Sequence, residues 1–516
     1  MSARVRAWRT WAGIVCTLMW VASGFALTES QSAAQKTDVS TQVELPSTPA
    51  GRLFAAWLEA FNSGDRDKML KFQTDHLPSM PDDRREQRLN RMFGLRQQTG
   101  GFTVEKVESP AANSITGVVK EKNSENRASF TLDVEGNDRI ANLNLQLIGP
   151  SPNAAQGPGP QRPPEPAPAK KPIPELVADV DSQLTKLTAE DKFSGAVLIA
   201  KDGKVLWQKA YGLANRETKE PNTVDTEFRL GSMNKMFTSV AIAQLVQQGK
   251  LKYSDTLAHA LPDYPNKDVA GKITVDQLLT HTSGLGDFLG SEFQKKKDSL
   301  RELKDYLPLF ANKPLQFEPG QGWAYSNAGF LVLGLIVEKV SGQSYYDYVQ
   351  KHIYDVAGMK NSGSPAPTEK VAKLSIGYTR HGDDDSEDNP NAPLKANTAT
   401  LPWRGNSAGG GNSTVGDLLK FHQALQGNKL LSAELTRTVT SGKVHPPMFP
   451  PNAKYAYGFG EQVMDGHRVI GHNGGAPGMN AELDMHWDTG YTVVVLSNLD
   501  PPAATRMSKY ISERLP

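Results

Sequence analysis

Ser232 and Lys235 stand three positions apart in the run Phe228-Arg229-Leu230-Gly231-Ser232-Met233-Asn234-Lys235-Met236-Phe237. On a helix, positions with this spacing share a face, with Cβ atoms roughly 5–6 Å apart. The pair would set a hydroxyl beside an amine at a helix N-terminus. Free backbone N–H groups and the positive end of the helix dipole favour an anion developing there. The dipole and burial also push the amine toward its neutral form. A neutral amine can take the proton of a neighbouring hydroxyl and make it a nucleophile. The surrounding elements must hold this geometry. Met236, Phe237, Val240, Ala241, Leu245 and Val246 recur at helical spacing, and Gly249 stands where such a helix stops. The pattern predicts a buried helix that opens at the pair.

The chain has 516 residues, 22% of them charged, with a net charge of +1. That length suggests two to four domains. The balance of charge excludes nucleic-acid binding by bulk charge and an acidic solvating chain. Residues 1–26 read as a secretory signal. Arg4, Arg6 and Arg9 give a basic start, Trp11 to Ala26 is apolar, and Gly24-Phe25-Ala26 offers small residues for cleavage. The alternative is an uncleaved anchor, although the apolar run is short for a span. Cys16, the one cysteine, lies inside this segment. The mature chain would then have no disulfide, no thiol nucleophile and no thiolate metal site. This fits an exported bacterial protein, periplasmic or secreted. Residues 27–48, rich in Ser, Thr and Gln, read as a flexible lead-in.

Residues 49–149 carry their own pattern. Leu53, Phe54, Trp57, Leu58 and Phe61 form an apolar helical stripe, and Asp65 can cap a second helix. A polar helix spans roughly Asp83–Gln98. Four alternating runs come next, Phe102–Glu108, Ser114–Lys120, Ala128–Val134 and Ile140–Ile148. Helices followed by consecutive strands predict a small antiparallel α+β domain. Its opening and element order resemble the NTF2-like (SnoaL-like) cone. The resemblance implies either a ligand held in the cone or an accessory or dimerising domain without chemistry, and no residue stands out as a site. Residues 150–174 hold Gly-Pro-Gly-Pro and Pro-Pro-Glu-Pro-Ala-Pro, a stiff extended linker.

Residues 175–516 suit one large α/β domain. A helix near Glu175–Leu187 leads into strands at Ser194–Ala200 and Lys204–Tyr211, joined by Lys201-Asp202-Gly203. Arg468–His472, Ala481–His486 and Tyr491–Ser497 read as further strands. Strands at both ends and helices between predict one sheet closed by both chain ends.

Five stretches occur here in order: Ser-Met-Asn-Lys, Leu-Leu-Thr-His-Thr-Ser-Gly-Leu (278–285), Pro-Gly-Gln-Gly-Trp-Ala-Tyr-Ser-Asn-Ala-Gly (319–329), Ser-Ala-Gly-Gly (407–410) and Gly-His-Asn-Gly-Gly (471–475). Their order and spacing resemble the class C β-lactamase-like serine hydrolases, a family of β-lactamases, D-Ala-D-Ala carboxypeptidases, D-aminopeptidases and esterases. The resemblance implies an antiparallel sheet flanked by helices, as in β-lactamases and penicillin-binding proteins. It implies an acyl-enzyme on Ser232, with Lys235 tuning proton transfer. Tyr325, in Tyr325-Ser326-Asn327, matches the family's Tyr-x-Asn base. As a phenolate it would need positive charge nearby, and Lys235 is the expected source. Asn327 would hold Lys235 and donate to substrate. His472-Asn473-Gly474 matches the strand usually written Lys-Thr-Gly. His472 is thus a fourth catalytic candidate, Asn473 and Gly474 line the substrate, and the N–H groups of Ser232 and Gly475 form the oxyanion hole. Asn473 lacks the hydroxyl that helps bind a β-lactam or peptide carboxylate. This turns the reading toward an esterase or D-amino-acid peptidase. Small-molecule or peptide substrates are implied, with no cofactor and no nucleic-acid partner.

His281, within 278–285, is expected to pack and turn rather than react. Thr414-Val415-Gly416-Asp417 reads as a capping box. Gly405-Asn406-Ser407-Ala408-Gly409 fits the Gly-x-Ser-x-Gly elbow, but Pro402 before it and Gly410-Gly411 after it deny the strand-turn-helix context. The acidic run Asp383–Asp388 lacks ordered calcium-ligand spacing. The ten histidines show no zinc-hydrolase spacing. The rival from another class is a non-catalytic binding or regulatory protein on the same fold.

Overall fold

A computed structural model of the chain describes residues 43–77, 82–124, 126–136, 139–150, 168–366, 368–369, 371–380, 392–447 and 449–516. The expected signal segment, Cys16, most of the lead-in, most of the proline-rich linker and the acidic run Asp383–Asp388 lie outside them. Val43–Pro516 form one compact unit. Among the described residues no helix is long and apolar enough to cross a membrane.

The N-terminal elements appear as the apolar pattern predicts. Helix α1 (Pro49–Ser63) starts at Thr48, whose side chain accepts from the Gly51 N–H, and ends at Gly64 in the left-handed region at φ 66°. Asp65 caps α2 (Arg66–His76), and α3 (Asp82–Thr99) comes after it. Strands β1 (Phe102–Pro110), β2 (Ser114–Glu121), β3 (Asn126–Glu135) and β4 (Arg139–Pro150) form an antiparallel sheet in chain order. The stripe of α1 packs on it through aromatic faces, with Phe54 stacked on Phe130 at 3.8 Å between ring centroids. Val118 of β2 is buried with Phe317 and Ala324, far along the chain.

After α4 (Ile173–Ala189) comes a seven-stranded antiparallel sheet. Its strands are β5 (Gly195–Lys201), β6 (Lys204–Tyr211), β7 (Ala453–Tyr455), β8 (Gly460–Met464), β9 (His467–Ala476), β10 (Met479–His486) and β11 (Tyr491–Ser497), in the spatial order β7-β8-β9-β10-β11-β5-β6. The pairing of β11 with β5, from Tyr491↔Lys201 to Ser497↔Gly195, joins the two ends of the domain as expected. Alternation sorts the strands between two cores. Ala196, Leu198, Val494 and Leu496 face the helical region, whereas Val197, Ile199, Val493 and Val495 pack with α4 and α8 (Ala503–Ser512).

Between β6 and β7 lies the helical region, with α5 (Asn234–Gln247) at its centre. Every residue from Asn234 to Leu245 is buried, so this helix is surrounded by protein rather than striped. Gly249, at φ 71°, stands just past its end. Helix α6 (Asn327–Ser341) and α7 (Val415–Gln426) accompany it. Thr414 caps α7 by accepting the Asp417 N–H, but the Asp417 carboxylate accepts from the Asn361 N–H and Ser362 hydroxyl. That acid ties a neighbouring loop to the helix. A reciprocal box does form at Thr274 and Gln277.

Candidate active site

Ser232 lies on a short 3-10 turn, Gly231–Met233, that runs directly into α5. Lys235 is in the first turn of α5, so the expected one-turn proximity holds across the junction of two helix types. Lys235 Nζ lies 3.4 Å from Ser232 Oγ, 2.7 Å from Asn327 Oδ1 and 2.6 Å from the Ala408 carbonyl oxygen. Its side chain is fully buried, and desolvation pulls its pKa down to about 7, partly opposed by the nearby Asp287 carboxylate. A neutral amine has two N–H groups and one lone pair. With the two hydrogens on the carbonyl oxygens of Asn327 and Ala408, the lone pair is left for the Ser232 hydroxyl.

The segment Tyr325-Ser326-Asn327 reaches the pair at the start of α6. Tyr325 is hydrogen-bonded to the Ser232 side chain, and Lys235 Nζ sits 4.6 Å from the Tyr325 ring centroid. Burial raises the Tyr325 pKa above its ordinary value, the Ser232 bond opposing and the Asp287 charge adding to the rise. The segment 280–284, given a packing and turn role from sequence, and residues 286 and 287 just after it form the bed for this segment. His281 Nδ1 accepts the Ser326 N–H at 3.1 Å, and the Ala324 N–H donates to the His281 carbonyl at 3.1 Å. Ser326 Oγ donates to the Gly286 carbonyl at 2.8 Å while accepting the Gly329 N–H at 2.9 Å as the cap of α6. Asn327 Nδ2 donates to Asp287 Oδ2 at 2.7 Å.

Strand β9 brings the third side. The expected strand at Arg468–His472 runs on to Ala476, while the β8 ladder stops at Gly460↔Gly471. Beyond that point β9 packs on the Ser232 turn. A Cβ on Gly474 would lie 1.8 Å from the Leu230 carbonyl oxygen and 3.0 Å from Ser232 N, and one on Gly231 would lie 2.7 Å from Gly475 N. Only glycine allows this approach, and it brings the Ser232 and Gly475 amides to one junction. Asn473 and Gly475 are exposed there.

His472 is held differently from the other candidates. Its Nε2 is 3.1 Å from the Tyr455 hydroxyl, and its Nδ1 is 2.5 Å from the Asn473 carbonyl oxygen. A carbonyl only accepts, so Nδ1 carries the proton and Nε2 accepts from Tyr455. Desolvation, and then the nearby Lys235 charge, lower its pKa to about 4. The Tyr455 hydroxyl also lies 3.0 Å from His281 Nε2. Because His281 Nδ1 accepts from Ser326, its Nε2 donates to Tyr455, and the chain His281–Tyr455–His472 has one direction throughout. Burial holds His281 well below the ordinary histidine value. The contacts fixing the His472 ring thus run to Tyr455 and Asn473.

A cavity of about 440 Å³ opens beside these groups, lined among others by Trp323, Tyr325, Phe449, Tyr455, His472 and Asn473. A larger one of about 680 Å³, lined by Tyr346, Lys360 and Arg404 among others, contains none of the candidate residues. The smaller is lined by two of the candidates, Tyr325 and His472, and Tyr325 is in turn hydrogen-bonded to Ser232. Ser407 is fully buried, and a Cβ on Gly334 would come 2.3 Å from its Oγ, so that hydroxyl faces a packed helix. The same segment contributes the Ala408 carbonyl. Sequence reasoning missed Ala408, Tyr455 and Asp287. Asp287 had a signal, standing two residues past Leu-Leu-Thr-His-Thr-Ser-Gly-Leu.

Comparison with known proteins identifies the family and the fold. Residues 180–515 match the Beta-lactamase family, and the chain belongs to it. It is a serine hydrolase of that superfamily by fold and relatives. It is 30% identical over 321 residues to "Penicillin-binding protein 4*" of Bacillus subtilis, covering 60% of this chain and 69% of the relative. It is 36% identical over 202 residues to "Esterase EstB" of Burkholderia gladioli, covering 36% of this chain and 51% of that one. Among solved structures, a penicillin-binding protein from Bacillus halodurans superposes with a TM-score of 0.57 at 32% identity, over 64% of this chain and 99% of that one. A D-stereospecific amidohydrolase from Streptomyces gives 0.55 at 25% identity, over 64% and 97%.

Proposed function

We propose that the chain is an exported serine hydrolase that cleaves an ester or an amide through an acyl-enzyme on Ser232. The observation that carries this reading is the Lys235 amine, 3.4 Å from Ser232 Oγ with two carbonyl acceptors for its hydrogens. The Ser232 proton passes to Lys235 Nζ as Oγ bonds to the substrate carbonyl carbon. The carbonyl oxygen, now negative, accepts from the Ser232 and Gly475 N–H groups. Collapse breaks the bond to the leaving group. The leaving group takes a proton from the Tyr325 hydroxyl, and the proton on Lys235 restores the phenol. Water then repeats the sequence, giving its proton to the amine and its oxygen to the acyl carbon, and Ser232 regains its hydrogen.

This assignment keeps the proton-accepting role that the Ser-x-x-Lys spacing gives Lys235 and sets aside the Tyr325 base that the family resemblance implies. Burial disfavours a phenolate and favours a neutral amine, so Tyr325 serves better as a proton donor. His472, with both ring nitrogens engaged, serves better as a neutral wall of the cleft than as a proton carrier. Its pairing with Asn473, where Lys-Thr is usual, favours an ester or D-amino-acid peptide over a β-lactam. The esterase and the D-stereospecific amidohydrolase among the similar proteins support that class. We take residues 49–149 as an accessory domain joined by the proline-rich linker. The test is mass spectrometry after exposure to a fluorophosphonate. An adduct on Ser232, absent in Ser232→Ala, is expected, together with a loss of ester turnover on the order of 10⁶. No adduct and no turnover of p-nitrophenyl esters, D-Ala peptides or nitrocefin would leave a binding protein on this fold.

A further inference from the structure

We propose that Asp287 is a positioning residue that fixes the Asn327 amide and, through it, the Lys235 amine. The inference rests on the proposed roles of Ser232 and Lys235. An amide side chain turned by half a rotation keeps its shape, so its neighbours decide which end faces where. Asn327 lies between two such neighbours. Its Nδ2 donates to Asp287 Oδ2 at 2.7 Å, and its Oδ1 accepts from Lys235 Nζ at 2.7 Å. Burial raises the Asp287 pKa above its ordinary value, opposed by the Leu289 N–H, the Asn327 amide and the Lys235 charge; as a carboxylate it only accepts, and so selects the amide nitrogen and leaves the oxygen for the amine. The opposite orientation would set oxygen against carboxylate, losing that bond, and would aim an amide N–H at the amine, where it could only engage the lone pair that the serine proton needs. Asp287 is itself fixed by the Leu289 N–H, which donates to Oδ1 at 3.1 Å.

The charge matters as well as the shape. A protonated Asp287 could donate to the amide oxygen and hold the turned form. A carboxylate at this place also offsets the positive charge that Lys235 acquires on taking the serine proton. It does so without touching the amine. The logic is that of a nucleophile and base whose third member orients the base. The other titratable groups near Lys235 are Tyr325, His281 and His472, none of which is anionic in its ordinary buried form.

The experiment is a double-mutant cycle on the full chain with Asp287→Asn and Asn327→Ala. It is read by p-nitrophenyl butyrate hydrolysis and by the rate of fluorophosphonate adduct formation on Ser232. Asp287→Asn should lower kcat roughly tenfold or more, with KM changed by less than about threefold, the signature of a group that acts beyond ground-state binding. In the Asn327→Ala background the same change should cost less than about twofold, because a residue acting through Asn327 has nothing left to act on. Thermal melts establish folding, and Asp287→Ser, which keeps an acceptor for Leu289, replaces Asp287→Asn if that variant fails to fold. Additive losses, or an unchanged kcat in the folded single variant, overturn the positioning role. No adduct on the natural protein overturns the hydrolase reading, and this inference with it. An adduct that forms equally fast in Asp287→Asn overturns this inference alone.

Discussion

His281 Nδ1 accepts the backbone N–H of Ser326, 45 residues further along the chain, at 3.1 Å. This bond fixes the tautomer of one ring, and Tyr455 carries the choice to a second. His281 must hold its proton on Nε2 and His472 on Nδ1. Nitrogen-15 NMR of labelled protein should show the two rings as opposite neutral tautomers at pH 7. In Tyr455→Phe each histidine loses a buried partner, at roughly 1–3 kcal/mol for a polar group left unsatisfied. A fall in melting temperature with weakened ester turnover is expected. Identical tautomers in the natural protein would refute the direction of the chain.

Gly474 supplies a steric prediction. Its missing side chain lets β9 lie against the Leu230 carbonyl, where a Cβ would stand 1.8 Å from the oxygen. The obstacle is backbone, so nothing can swing aside. Gly474→Ala must push the strand from the Ser232 turn and carry the Gly475 N–H with it. Destabilisation of roughly 1–3 kcal/mol or more is expected from the overpacking, and acylation should drop about 10²-fold as an oxyanion donor leaves its place. Urea unfolding and stopped-flow acylation measure the two. Unaltered acylation would remove Gly475 from the proposed hole.

How far the sequence foretells this site depends on the kind of group. Ser232 and Lys235 were legible because their relation is local, a matter of helical spacing. The sheet closed by β5 and β11 was legible because alternation and position in the chain both point to it. Tyr325 and Asn327 meet the pair only through tertiary folding, which also brings His472 to the neighbouring cleft, and a set of ordered motifs stood in for that knowledge. The Ala408 oxygen could not be read, since every residue has a carbonyl and only the fold decides which one is aimed. Tyr455 lies on a three-residue strand, too short for any period to show that it bridges two histidines. The length of β9 was misjudged because Gly474 and Gly475 look like a strand end. They continue the strand, since close packing on the serine turn demands glycine there.

Buried neutral histidines predict the acid limb of stability. His422 and His472 have pKa values lowered to about 4, both chiefly by desolvation. The unfolded chain titrates them near 6.5, so between about 6.5 and 4 it binds more protons than the folded one. Their contribution is fully present above about 6.5 and is lost as pH falls toward 4, by up to about 1.4 kcal/mol per pH unit for each. His422, whose Nδ1 lies 2.7 Å from Thr492 Oγ1, is outside the site and isolates the effect. Urea midpoints at pH 7 and pH 5 should converge in His422→Gln relative to the natural chain. An equal fall in both would mean that His422 is not buried in its neutral form.

Lys235 predicts the pH dependence of catalysis, with the opposite character from a phenolate base. Its pKa is lowered from 10.5 to about 7 in the fold, so the neutral amine predominates above about 7 and the ammonium below. Only the neutral form has a lone pair for the Ser232 proton. Acylation by p-nitrophenyl butyrate should therefore rise about tenfold per pH unit below 7 and level off above it. A Tyr325 phenolate would instead place the rise in the alkaline range, because burial lifts that phenol above its ordinary value. The position of the limb decides between the two bases. Tyr325→Phe tests the same point independently. If Lys235 is the base and Tyr325 the donor to the leaving group, the variant should keep the limb near pH 7 while losing roughly 10²–10⁴ in rate. It should lose least on esters whose leaving group needs no proton. A limb that vanishes in Tyr325→Phe would return the role of base to the phenol.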